Sequence, residues 1–145
     1  MFMYWLLVLL AGFLLAGPSA DQRAVQQGGQ LQDQTLSLRA TQMVRYMNRI
    51  NDWRYQNPGA GDISVSDSQL TGWKNVAGLN NVIAGGRTYV WRAGEPGLMS
   101  ALLTQTRQSA LVGRVSARRL LDSSGTDMQL TVPAAIPDGS VVWVN

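Results

Sequence analysis

An apolar run of sixteen residues, MFMYWLLVLLAGFLLA, constrains this chain more than any other feature. As a helix it reaches about 25 Å with the following glycine, slightly short of a typical hydrocarbon core and long enough for a thin one. We therefore interpret residues 1–17 as a transmembrane anchor. Its membrane-embedded residues are Trp5, Leu6, Leu7, Val8, Leu9, Leu10, Phe13, Leu14 and Leu15.

A cleaved signal peptide is the competing interpretation of this run. Signal peptides carry a basic stretch before the apolar segment, and here the first basic side chain is Arg23. The only plausible cleavage point follows Ala20, and Pro18 fits such a site poorly. These features favour the anchor.

Beyond the run, the chain reads as a spacer at 18–34 and one α+β domain at 35–145. The net charge is +3, and eleven of the twelve basic residues are arginine. They are spread along the chain with aspartates between them, which indicates a solvated surface and no nucleic-acid-binding stripe.

The residue types needed for most catalytic chemistry are scarce. Cysteine and histidine are absent from the sequence, and no glycine-rich phosphate loop with its lysine is present. Each aspartate that could serve a hydrolase lies in a turn where backbone geometry already explains it: Asp62, Asp67, Asp122, Asp127 and Asp138. We expect no enzyme activity, no cofactor, no metal and no small-molecule substrate.

An amphipathic helix is predicted from Thr35 to about Gln56. Asn57-Pro58-Gly59 should stop it, because a residue before proline is biased away from helical angles. The preceding glutamine-rich stretch is either a spacer or a frayed continuation of the anchor helix. The apolar stripe recurs at helical spacing: Leu36, Ala40, Met43, Val44, Met47 and Ile50.

The rest of the domain is predicted to be a mainly antiparallel sheet with one inserted helix. Gly85-Gly86-Arg87 should turn a hairpin between strands 79–84 and 88–92. Pro96 should open a short helix that ends near Gln108 and covers the sheet. A short strand is possible at 63–65, and further strands are predicted at 110–115, 118–121, 128–132 and 141–144.

Five residues are candidates for partner binding. Met43 and Met47 form either a soft helix-contact face or part of the core, and core packing is the default. Trp53, Tyr55 and Trp73 lie at the helix end and in a loop, where aromatics either act as interface anchors or are buried, and the core is the default for them as well. Trp91 and Trp143 lie in predicted strands and should pack in the core.

The layout of the chain resembles a known family. The apolar segment runs into a helix ending MVRYMNRINDWRYQNPG, followed by a GDISVSDSQL loop, a GGRTYVW hairpin and a final VPAAIPDGSVVWV. This arrangement is similar to the PilM proteins of conjugative type IVb (thin) pilus systems, which are small inner-membrane biogenesis proteins. The layout is also pilin-like, but the basic leader and the glutamate at the fifth position of a prepilin's apolar stretch are missing.

The resemblance implies a pilus biogenesis component held in the bacterial inner membrane with its domain in the periplasm. Its partners would be pilus assembly machine proteins or pilin, and it would work by binding. The alternative is a minor pilin-like structural subunit built into the fibre.

Overall fold

The computed structural model describes the backbone of residues 20–145 and the side chains from residue 31 onward. The predicted anchor at 1–17 lies outside the described residues. Among the helices that are described, none is both long and apolar enough to cross a membrane. Contacts divide the chain into two units, Met1–Gln34 and Thr35–Asn145, and the side-chain contacts discussed below belong to the second.

The longest element is the helix α1, Ala20–Gln56. It begins well before Thr35, where the apolar stripe starts, so the glutamine-rich stretch is helical, in agreement with one of its two interpretations. The stretch before Thr35 lacks apolar periodicity but is rich in glutamine, which is a good helix former. Its helical structure therefore agrees with the intrinsic helix propensity of its residues and could not be read from an apolar pattern. At the other end, α1 stops directly before the Asn57-Pro58 pair, as predicted, and the Asn57 side chain donates to the carbonyl of Trp53 at 2.8 Å.

The remaining elements form the predicted α+β domain. A 3₁₀ turn, Asp67–Gln69, precedes the hairpin strands β1 (Asn80–Ala84) and β2 (Arg87–Arg92). Helix α2 (Leu98–Gln105) follows, and then come the last four strands: β3 (Val112–Ser116), β4 (Arg119–Leu121), β5 (Asp127–Thr131) and β6 (Val141–Val144). Instead of a full strand at 63–65, there is a single antiparallel bridge between Ile63 and Ile83.

The six strands make one antiparallel sheet in the order β1-β2-β6-β3-β4-β5. The turn between β1 and β2 places both Gly85 (φ 57°) and Gly86 (φ 78°) in the left-handed region. A two-residue hairpin turn of this kind matches the twist of the strands and favours glycine, which explains the strength of the local signal.

Alternating strand residues build two cores on opposite faces of the sheet. On one face, buried residues of α1 and α2, including Met47 and Leu102, pack with Val90, Val112 and Val141. Trp143 is partly buried against this cluster. The opposite face buries a second cluster, in which loop residue Ile136 covers strand residues: Tyr89, Trp91, Val115, Leu120, Val142 and Val144.

Gly113, in β3, allows the neighbouring strand β4 to approach closely. A Cβ at this position would lie 2.6 Å from the carbonyl oxygen of Leu121 and 2.7 Å from Cγ of Leu120. We expect Gly113→Ala to lower the free energy of unfolding by about 2 kcal/mol, because backbone and a fully buried leucine must both shift. Urea unfolding would measure the change. Gly59→Ala is the control, since a Cβ there meets open space and should change stability little; equal stability of the two variants would contradict the close contact.

Candidate partner-binding surface

Met43 and Met47 lie in the core. Both side chains are 0% exposed and pack with the buried residues that join α1 to the sheet. A partner cannot reach them without unfolding the domain, so the interpretation of these two methionines as a contact face is corrected to core packing. The two side chains face the sheet because the apolar residues of the stripe all lie on one side of α1, and that side packs on the sheet.

Trp53 and Trp73 are partly buried against the same core cluster. The Trp73 ring stacks on Tyr46, with ring centroids 5.2 Å apart and planes at 29°. Its indole Nε1 is buried and has no hydrogen-bond acceptor within the described part of the chain. Trp73 is therefore a fixed aromatic residue that also contributes to the rim of a groove described below.

Tyr55 is the candidate that the structure leaves most open, with 89% of its surface exposed. Its surroundings are held in place, since Arg54 donates to Oγ1 of Thr88 at 2.8 Å and to the carbonyl of Gly86 at 3.0 Å. These bonds tie the last turn of α1 to the β1–β2 hairpin. A hollow of about 420 Å³ beside Tyr55 is lined by Asn51, Arg54, Tyr55, Asn57, Pro58 and Ala60.

A groove of about 560 Å³ runs between the exposed face of α1 and the loop that carries Trp73. We call it the α1 groove, and its lining residues are Arg45, Asn48, Arg49, Asp52, Gly72, Trp73, Lys74 and Val76. Arg49 joins its two walls by donating to the carbonyl of Thr71 at 2.9 Å. Sequence reasoning missed this groove except for Trp73, because its walls are separated by more than twenty residues.

A buried polar network includes Tyr46, the residue on which Trp73 stacks. Asn81 accepts a hydrogen bond from the Val65 amide at 2.9 Å, and its Nδ2 donates to the Val65 carbonyl at 2.8 Å and to the Tyr46 hydroxyl at 2.6 Å. Burial raises the pKa of Tyr46, the bond from Asn81 opposes this, and the charge of Asp67 adds to it. The network fixes Tyr46, which in turn supports Trp73.

A larger cleft of about 730 Å³ lies where α2 meets the sheet, with Glu95, Met99 and Arg114 among its lining residues. Glu95 forms an ion pair with Arg39, so its charge is already compensated. Nearby Arg92 has its pKa lowered by burial and by the charge of Arg39, against the opposing effect of Glu95. Within the described residues no group of three histidine, cysteine or acidic side chains is placed to hold a metal ion.

The α1 groove and Tyr55 together have the composition of a protein-binding surface. Arginine, tyrosine and tryptophan are the residue types enriched in interface hot spots. Arg45, Arg49 and Trp73 line the groove, and Tyr55 is exposed at the end of the same helix. The described residues therefore form an α+β domain that carries these residue types at its surface.

Comparisons with known proteins identify the family. The model of the PilM family matches residues 7–144, and the chain belongs to this family of pilus-related proteins. The crystal structure of protein PilM from Escherichia coli B7A is similar, at 40% identity and a TM-score of 0.66 over 79% of this chain and 94% of that one. A pilM protein from Pseudomonas aeruginosa 2192 aligns at 29% identity and a TM-score of 0.45, over 73% of this chain and 90% of that one. The comparison with curated proteins yields no match.

Proposed function

We propose that this protein is an assembly component of a conjugative type IV pilus, anchored in the bacterial inner membrane by residues 1–17. Its α+β domain would lie in the periplasm and bind other pilus assembly proteins or pilin. The family membership supports the pilus context, and the apolar run supports the anchor. In this proposal the protein acts by binding alone, without bond-making chemistry or a cofactor.

The exposed ring of Tyr55 on a fixed base is the observation that carries the binding role. A tyrosine has few rotatable bonds, so holding its ring against a partner costs little conformational entropy. Because Arg54 already ties the end of α1 to the hairpin, the surrounding backbone needs no further ordering. An exposed aromatic side chain on an ordered stretch of backbone is typical of an interface anchor.

Tyr55→Ala tests this role directly. We expect pilus number per cell to fall by about tenfold or more, the effect of losing a hot-spot side chain. The protein level and thermal midpoint should stay unchanged, because the ring is almost fully exposed. Electron microscopy would count pili, and immunoblotting would report the protein.

Leu38→Ala is the matched control, since it removes another exposed apolar side chain from α1, about 25 Å along the helix. Normal piliation is expected in this control. If Tyr55→Ala cells carry as many pili as the control, the helix end is not the binding surface. If instead the Tyr55→Ala protein disappears, the residue has a structural role.

A fibre subunit remains the second candidate function. The long helix packed on an antiparallel sheet has the pilin-like layout described above. In that case the same surface would contact neighbouring subunits within the fibre.

A further inference from the structure

The α1 groove carries an excess of positive charge. Arg45, Arg49 and Lys74 line it with one carboxylate, Asp52. Lys74 is the only lysine in the whole sequence, so the groove is lined by both arginine and lysine side chains.

These charges lack ionic partners in the folded domain. In the described part of the chain, the ion pairs are Arg39 with Glu95 and Arg119 with Asp127, so none of the three groove cations forms an ion pair, and Asp52 can balance only one of their charges. Arg45 and Arg49 are four residues apart on α1, a spacing at which like charges repel each other. A ligand that brings negative charge to this point would relieve that repulsion.

The arginine geometry favours a carboxylate. Each guanidinium has five donors, and Arg49 uses one of its nitrogens for the Thr71 carbonyl. The remaining donors can form the paired hydrogen bonds that arginine makes with carboxylates. Exposed Lys74 adds a point charge on the opposite wall.

The walls of the groove favour a protein segment over a membrane surface. Trp73 and Val76 provide apolar area, and Trp73 is fixed by its stacking on Tyr46. The groove is concave, and a protein segment can enter a concavity of this size, whereas a lipid surface is flat. A chain with acidic side chains flanking an apolar one would match both the charges and the apolar wall.

We propose that the α1 groove binds an acidic segment of a pilus assembly protein, with carboxylates at Arg45, Arg49 and Lys74 and an apolar side chain against Trp73. This inference rests on the proposed function and adds the chemistry of the partner. It assigns charge recognition to the groove and aromatic anchoring to Tyr55.

Site-specific photocrosslinking in cells that assemble the pilus tests the proposal. The photoreactive amino acid replaces Asn48, an exposed residue inside the groove, and mass spectrometry identifies the crosslinked peptide. We expect a peptide from a pilus assembly protein with an excess of aspartate and glutamate. The paired substitutions Arg45→Glu and Lys74→Glu should reduce this crosslink by about tenfold or more, because like charges now face each other.

Arg87→Glu is the matched control, as it reverses an exposed arginine on β2 outside the groove and should leave the crosslink within about twofold. Thermal midpoints of the purified full-length variants verify that each is folded. A crosslink to a neutral or basic segment, a phospholipid adduct, or a crosslink insensitive to charge reversal would overturn the acidic-partner inference. A crosslink to a neutral segment of a pilus protein leaves the proposed function intact. The absence of any pilus-protein crosslink from Asn48 contradicts the groove inference alone, and normal piliation of Tyr55→Ala cells contradicts the proposed binding role of the helix end.

Discussion

Met47→Ala is expected to lower the free energy of unfolding by about 3 kcal/mol. The Met47 side chain is 0% exposed and lies between α1 and the sheet, so truncation removes buried methylene and thioether contacts and leaves a cavity. Urea unfolding of the detergent-solubilised protein, followed by tryptophan fluorescence, would measure the loss. Leu38→Ala removes an exposed side chain from the same helix and should cost less than about 0.5 kcal/mol.

This prediction also separates core from interface in cells. A loss of pili in Met47→Ala cells should accompany a loss of the protein, because a destabilised domain is degraded. Tyr55→Ala should give the opposite combination, with normal protein and few pili. A Met47→Ala protein as stable as Leu38→Ala would contradict the packing of α1 on the sheet.

The second large effect is expected at Asn81. Asn81→Ala should cost about 3 kcal/mol of unfolding free energy, because it removes three buried hydrogen bonds and leaves the Val65 amide and carbonyl unsatisfied. Asn80→Ala provides a control in the adjacent position, where an exposed side chain donates only to the Gly78 carbonyl at 3.2 Å. That variant should lose less than about 1 kcal/mol, so that urea midpoints distinguish the two.

Similar stabilities of the Asn81→Ala and Asn80→Ala variants would contradict the buried network. The comparison matters for the groove, because the Asn81 network holds Tyr46 and Tyr46 supports Trp73. A destabilised network should therefore also weaken binding at the α1 groove, and not only the fold.

The parts of the fold that the sequence predicts are those with strong local signals. The buried stripe of α1 follows from helical periodicity. The β1–β2 hairpin follows from two adjacent glycines between two runs of strand-forming residues. Tyr46 was not counted in that stripe because its hydroxyl needs a hydrogen-bond partner. In the structure Tyr46 is buried, and its hydroxyl accepts a hydrogen bond from Asn81. Helix before Thr35 was predicted only as one of two alternatives, since the polar residues there carry helix propensity without periodicity.

Features that depend on distant contacts could not be predicted. The turn between β3 and β4 holds Ala117 (φ 48°) and Arg118 (φ 61°) in the left-handed region, which side chains of this kind rarely adopt. Arg118 is held there by bonds with Val132, through its guanidinium at 3.1 Å and its carbonyl at 2.9 Å. The sequence interpretation placed Arg118 in a strand, because nothing local indicates that Val132 lies beside it.

The candidate partner-binding surface also has one part that the sequence could predict and one part that it could not. Exposed Tyr55 could be named because it follows the last buried turn of the helix. The α1 groove could not, because it exists only where Arg49 meets the Thr71 carbonyl across a separation of 22 residues. The two methionines were ambiguous in sequence, since a buried stripe and a contact stripe have the same spacing, and only the position of the sheet distinguishes them.

The most direct test of an anchored assembly component is to locate the intact protein in cells that make the pilus. Sheared fibres, inner membrane and periplasm would be separated, and the mass of the protein measured in each fraction. Our account predicts the protein in the inner membrane with residues 1–17 retained, and not in the fibres. The protein in sheared fibres would contradict that account and indicate a minor pilin, and a shortened form in the periplasm would contradict the anchor.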